Sequence, residues 1–396
     1  MDASATTSSP GLADSLERLG TETAFSVLAR ARELERQGRE IIHLEIGEPD
    51  FDTPLHIREA AAAALRVGET HYCPSAGIPE LREEAARYLA ASRGVEVDPA
   101  NVLVGTGAKP FLFFTILATC NPGDEVIYPD PGFPIYESAI RWAGATPVPL
   151  PLLEERDFAF DLEDLESRLG PKTKLVILNS PQNPTGGALS PEETERVAAL
   201  LAESTAWILS DEVYSQMVYD GDFASVASYP SLLERTVLLD GLSKTYAMTG
   251  WRCGFAAVPE PLVDPLVRFI VNSTSCVPPF VQLAGVAALS GPQDEPRAMV
   301  EEFRARRELV VEGLNALPGV SCRVPRGAFY AFPNVAEVPL ETDVLADRLL
   351  AEAGVAVLAG SAFGRHGVDN LRISYANSRE NLTLALERTH GFQDRH

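Results

Sequence analysis

The sequence predicts an α/β fold: a mostly parallel sheet flanked by helices in a large domain, with a smaller α/β domain beside it. Three observations predict it. The chain has 396 residues, 45% of them hydrophobic, enough for a sizeable core and more than one domain usually holds. Between about residues 100 and 290, short apolar runs alternate with helical stretches, the pattern of a doubly wound sheet whose ligands lie beyond the carboxyl ends of its strands. After about residue 290, a charged helix precedes short strands of antiparallel character.

From the N-terminus, residues 1–14 are rich in Ser, Thr and Ala and are expected to form a flexible arm. From Ser15 to Glu40, Phe25, Val27, Leu28 and Leu34 recur at helical spacing. Residues 15–55 are expected to be the N-terminal part of the small domain, residues 56–290 the large domain, and residues 291–396 the rest of the small one. In the large domain "NVLVG", "EVIYP", "TKLVILN", "AWILSD", "TVLLDG" and "CGFAAV" are the strand candidates. Their continuous apolarity means that both faces are covered. In the last part "EEFRARRELVVEGLNAL" reads as a helix, "GVSCRV", "AFYAFP", "GVAVLAG" and "NLRISYA" as strands, and "ADRLLAEA" and "SRENLTLALERTH" as further helices.

Composition narrows the function. Thirty-three Lys and Arg against 56 Asp and Glu give a formal charge of -23, a field that repels nucleic acid and anionic membranes. A small-molecule enzyme fits better, and any anion site must be made locally by a few cations and helix N-termini. The cysteines, Cys73, Cys120, Cys253, Cys276 and Cys322, show no CxxC spacing, so neither a disulfide framework nor a metal site is suggested. No apolar run reaches the roughly 20 residues of a membrane span, and the N-terminal stretch lacks the parts of a signal peptide. A cytoplasmic enzyme is the expectation.

Five motifs carry chemistry, each with a plainer alternative. "LVGTGAKPFLFF" runs from strand through a Gly-rich turn into a helix; the amides of Gly107, Ala108 and Lys109 could hold a phosphate, or the segment is only a turn. A dinucleotide fingerprint would need a third glycine where Pro110 stands. Asp211 and Tyr214 in "SDEVY" follow an apolar strand; the acid either holds a cofactor nitrogen or caps a helix. Asn183 in "NPTGG" reaches the same edge, as a ligand or as a turn residue. Lys244 in "GLSKTYAMTGWRCGF" lies between buried strands, where desolvation makes an amine a better nucleophile toward a carbonyl. Arg252, at a strand start, is either a phosphate clamp or a structural arginine. Arg372 in "NLRISYA" needs a carboxylate, fixed or brought by a substrate.

Read in order, "IGEPDF", "YCPSAGIPELR", "NPTGG", "SDEVY", "SKTYAMTGWRCGF" and "NLRISYA" give a chain that resembles the class I pyridoxal-phosphate aminotransferases of fold type I, aspartate aminotransferase-like, from about residue 20 to about 388. The resemblance implies a seven-stranded, mostly parallel sheet in the large domain. It implies pyridoxal 5'-phosphate held by Lys244 as an internal aldimine, with Lys244 also shuttling the proton. Asp211 would pair with the pyridine nitrogen, and Tyr214 and Asn183 with the phenolic oxygen. The phosphate would lie on the amides of Gly107, Ala108 and Lys109, with Ser243 and Arg252. Phe133 takes the place of the stacking aromatic, where bulkier rings are often found. Tyr72 matches the tyrosine that reaches a neighbouring subunit's phosphate, which implies a homodimer with a shared site. Gly47, Asn183 and Arg372 would hold the substrate's α-carboxylate.

The function implied is transfer of an L-amino acid's nitrogen to a 2-oxo acid, 2-oxoglutarate or pyruvate, in a ping-pong mechanism. A β-eliminating C–S lyase or a cyclising enzyme of the same fold is the alternative, and a non-catalytic binding protein the remoter one. Arg326 and Arg365 flank loops of the expected site, but surface ion pairs are the commoner fate of such residues. Phe25, Phe329, Tyr330 and the stretch 272–280 suggest a partly apolar specificity surface.

Overall fold

The computed structural model describes residues 11–395. Of the arm expected over residues 1–14, residues 1–10 lie outside the described residues, and Asp14 already opens a short 3-10 turn, Asp14–Arg18. The single helix expected over Ser15 to Glu40 is therefore two elements, this turn and the helix Thr23–Arg36. The break has a tertiary cause as well as a local one. The amide of Gly20 leaves the helical ladder and donates to the Ser138 hydroxyl at 2.9 Å.

The main sheet has the spatial order Val102–Gly105, Gly254–Ala257, Thr236–Gly241, Trp207–Asp211, Thr173–Asn179, Glu125–Asp130, Thr146–Leu153, Ala159–Phe160. All six strands expected from sequence are present. The pairings from Thr236–Gly241 to Thr146–Leu153 are parallel, while Gly254–Ala257 runs antiparallel to both its neighbours. Seven strands thus carry the sheet, and the two-residue Ala159–Phe160 adds a short antiparallel edge. The strand missed in sequence is "TPVPLPLL", residues Thr146–Leu153, in which Pro147, Pro149 and Pro151 argue against a sheet. Because the prolines alternate, their missing N–H groups all face one side. That leaves Val148, Leu150 and Leu152 to bond the Glu125–Asp130 strand and makes the outer side a poor template for aggregation.

Helices cover both faces. Phe111, Leu112, Tyr136, Ile140, Leu266 and Ile270 pack with Val126, Ile177 and Leu239 on one face; Leu81, Leu89, Val281 and Ala284 pack with Val104, Leu238 and Phe255 on the other. A further core joins Ile42 and Leu44 to Phe303, Val310, Leu345, Ile373 and Leu382. There Ile42–His43 pairs in parallel with Val355–Ala356, and Leu371–Ser374 lies between Tyr330–Ala331 and Leu358–Ala359, antiparallel to both. The early segment therefore pairs with the C-terminal one. "GVSCRV" is not a strand. It makes only the single bridge Ser321 to Asn334, since Cys322 is held by the Asn315 side chain on both its amide and its carbonyl.

Candidate active site

The expected site residues converge at the carboxyl ends of the parallel strands. Asn179 and Asp211 end adjacent strands in register, and Asp211 is opposite Leu239 on the next. That strand ends at Gly241 and runs into a one-turn helix, Leu242–Thr245, which carries Ser243 and Lys244. A cavity of about 510 Å³ lies over these ends, lined by Gly47, Ala108, Lys109, Phe133, Asn183, Asp211, Tyr214, Ser243, Lys244, Arg252 and Arg372 among others. Of the expected site residues, Gly107 and Tyr72 do not line the cavity of their own chain.

The Lys244 amine donates to the Gly47 carbonyl at 2.5 Å. Its pKa is lowered to about 8, first by burial and then by the charges of Arg372, Lys109 and Arg252. This is the direction that makes a lysine nucleophilic near neutral pH. Asp211 is buried and accepts from the Tyr136 hydroxyl at 2.7 Å. Burial raises its pKa to about 6, against the pull of Tyr136, of the Val213 amide and of Lys244. It has no cation within ion-pair distance among the described residues, so a protonated ring nitrogen would meet a carboxylate that lacks a cationic partner.

Arg372 is the other incomplete group. It is 4% exposed, gives one N–H to the Glu45 carbonyl and another to Asn183 Oδ1 at 3.2 Å, and lies over the rings of Tyr330 and Phe363. Its Nε–H has no acceptor, and no carboxylate pairs with it among the described residues. An uncompensated buried charge costs on the order of 3–5 kcal/mol, which an arriving carboxylate would relieve. Because Arg372 can only donate, Asn183 presents its oxygen there and keeps its NH2 for a ligand oxygen. Tyr214 shares a hydrogen bond of 2.7 Å with Tyr330, and the Tyr330 hydroxyl occupies the space that a Cβ on Gly47 would need. Phe133 meets Tyr136 edge to face at 5.7 Å, with the Lys109 ammonium 5.1 Å from its centroid.

The loop expected to cradle a phosphate differs in one particular from the sequence expectation. The Gly107 amide, expected to hold a phosphate, donates instead to the Gly105 carbonyl at 2.7 Å because the turn is tight. Gly107 supplies room: it has φ +92°, and a Cβ there would stand 2.5 Å from Arg252 Nη2. The Ala108 amide has no backbone acceptor among the described residues. Arg252 precedes its strand by two residues rather than starting it, with φ +54°, a left-handed conformation unusual for arginine. It is exposed at the cavity rim, and its guanidinium bonds the carbonyls of Thr249 and Thr106 but, among the described residues, no carboxylate. Gly105, Gly254 and Gly241 lie abreast on three strands, and the loop settles on this row. A Cβ at Gly254 would stand 2.6 Å from the Ala108 nitrogen, and one at Gly105 would stand 2.7 Å from the Phe111 ring.

Sequence reasoning missed four contributors. Tyr136, three positions beyond Phe133, could have been suspected from that spacing. Tyr330 was taken only as part of an apolar surface. Glu22 forms an ion pair with Lys109 at the cavity wall, and nothing local marks it. Buried Arg93 pairs with Asp240 and with Glu212 at 2.9 Å, tying the two strands that carry Asp211 and Lys244. Of the proposed specificity residues, Phe25 and Tyr330 line the cavity while the stretch 272–280 does not. Arg326 pairs with Glu193 at 3.4 Å, both half-buried, and the exposed Arg365 faces the buried Asp130 at 3.8 Å; neither lines the cavity.

A family profile described as aminotransferase class I and II matches residues 39–388. The chain is 40% identical over 385 residues to a probable aspartate/prephenate aminotransferase of Aquifex aeolicus, covering 96% of this chain and 97% of the relative. It superposes on the aspartate aminotransferase of Rhizobium meliloti with a TM-score of 0.93 at 39% identity, covering 98% of this chain and 100% of the other. A structure of the Thermus thermophilus aspartate aminotransferase with maleate gives 0.92 at 38% identity, with 97% and 100% covered. No helix among the described residues is long and apolar enough to cross a membrane.

Proposed function

We propose residue roles for this chain on the premise that it belongs to the aminotransferase class I and II family, is an aminotransferase, and has the α/β fold of the aspartate aminotransferases. The family uses pyridoxal phosphate. In the reading proposed here, an L-amino acid gives its nitrogen to the cofactor in one half-reaction and a 2-oxo acid collects it in the next, a ping-pong scheme. The observation that carries it is the pairing, in one cavity, of a desolvated Lys244 amine with a buried Arg372 that lacks an anion.

When bound, pyridoxal phosphate supplies the electron sink that lets the substrate's Cα–H bond break heterolytically. Lys244 would hold the cofactor's aldehyde end through its Nζ, and the same amine, when free, would take and return the substrate's Cα proton. Asp211 would hold the ring nitrogen in its protonated form, with Tyr136 holding Asp211. Tyr214 and the Asn183 NH2 would bind the phenolic oxygen, and Phe133 would cover the ring. The Ala108 and Lys109 amides, Ser243 and Arg252 would bind the phosphate, in the space that Gly107 leaves. Arg372 and Asn183 take the substrate's α-carboxylate beside Gly47.

Tyr72 is 89% exposed, which suits a residue completing the phosphate site of a second copy. A homodimer with a shared active site is part of the proposal. An amino-donor screen on the cofactor-loaded protein tests it: productive donors should convert the cofactor to its amine form and yield a 2-oxo acid in equal amount. Ammonia release without that conversion would point to the lyase instead. Borohydride reduction followed by peptide mapping should place the pyridoxyl group on Lys244, and its absence there would end the assignment.

A further inference from the structure

The choice of donor depends on what meets the substrate's side chain once Arg372 holds the α-carboxylate, so the following rests on the reading above. Much of the remaining wall is apolar, with Ala24, Phe25, Ile46, Leu112 and Val213. Among the described residues four cations line the cavity, Lys109, Lys244, Arg252 and Arg372. Three have roles already, and only Lys109 is left for a second substrate carboxylate. Its ammonium is not free: it pairs with Glu22, the residue before the helix Thr23–Arg36. Glu22 is held inward, with its side chain 17% exposed against 44% for Lys109. Its charge also reaches Arg372 and Tyr330.

We propose that Glu22 determines specificity, its carboxylate standing where a substrate's distal carboxylate would pair with Lys109, so that donors with apolar or aromatic side chains are preferred to aspartate and glutamate. A dicarboxylic substrate would have to displace Glu22 or share one ammonium with it, and crowding a second anion there is unfavourable. A neutral side chain meets the apolar wall and leaves the pair intact.

The test compares succinate, a dicarboxylate, with 4-methylpentanoate, an apolar monocarboxylate, by calorimetric titration of the cofactor-loaded protein. The wild type should bind 4-methylpentanoate more tightly. In Glu22→Gln the affinity for succinate relative to 4-methylpentanoate should rise about tenfold, the scale of one close charge interaction at a partly solvated site. The ratio of kcat/KM for aspartate over leucine should move the same way, and Glu22→Ala should repeat the shift. The gain should vanish in the Glu22→Gln, Lys109→Met double variant, which separates an effect on Lys109 from general loosening. Unchanged ratios in both Glu22 variants, or tighter succinate binding by the wild type, would overturn the proposal while leaving the transamination reading intact. Failure of both ligands to bind would remove the Arg372 assignment and this proposal with it.

Discussion

Replacing Lys244 by Met should stabilise the cofactor-free protein at neutral pH while removing its activity. The amine's pKa falls from 10.5 to about 8 in the fold, chiefly through burial. That difference corresponds to about 3 kcal/mol by which folding disfavours the charged amine. Because the folded value lies below the unfolded one, the penalty is full below pH 8 and fades as the pH rises toward 10.5. At pH 10 about 1 kcal/mol of it remains. Methionine keeps the length of the side chain and loses the hydrogen bond to Gly47, worth about 1 kcal/mol. The net gain is then about 2 kcal/mol at pH 7 and near zero at pH 10. Urea unfolding of both cofactor-free proteins at the two pH values and a fixed protein concentration measures it. An identical stability difference at pH 7 and pH 10 would refute the buried-charge argument, whatever its size.

Three further outcomes are expected. Arg372→Lys keeps a charge but loses the planar fork that can grip a carboxylate, so kcat/KM for amino acids should fall about 100-fold, the effect of about 3 kcal/mol, as steady-state kinetics would show. Gly47→Ala pushes a methyl group into Tyr330 and its bond to Tyr214; thermal melts should register a loss of about 1–3 kcal/mol, and activity should fall with it. Tyr136→Phe removes a bond that favours ionised Asp211. The pKa of Asp211 should then climb above its present value, and the acid limb of the pH dependence of pyridoxal phosphate affinity should move up by roughly one pH unit.

The strands of the main sheet were legible because burial on both faces requires unbroken apolar runs, and "TKLVILN" or "TVLLDG" leaves little else to infer. The Thr146–Leu153 strand was hidden because its alternate prolines are tolerable only beside an open edge, and the position of that edge is a property of the whole sheet. The site was legible where one short segment carries both geometry and chemistry. Lys244 follows its strand by three residues, Asp211 ends one, and the glycines around 107 announce a tight turn. It was opaque where function depends on segments far apart in the chain: Glu22 meets Lys109 across 87 positions and Tyr214 meets Tyr330 across 116. Arg93 belongs to the same class, since a helical arginine in "AARYLAASRG" carries no sign that it will be buried between Asp240 and Glu212.

The row formed by Gly105, Gly254 and Gly241 turns three neighbouring strands into bare floor under the anion loop. Ordinarily a sheet keeps its neighbours at the height of a side chain; here the backbone of residues 107 and 108 comes down onto Gly254 itself, so the Ala108 amide takes its direction from contact with peptide. Tolerance to change should consequently be lowest where the sequence looks plainest. A methyl group at position 254 would stand 2.6 Å from the Ala108 nitrogen, so the loop would have to lift to admit it.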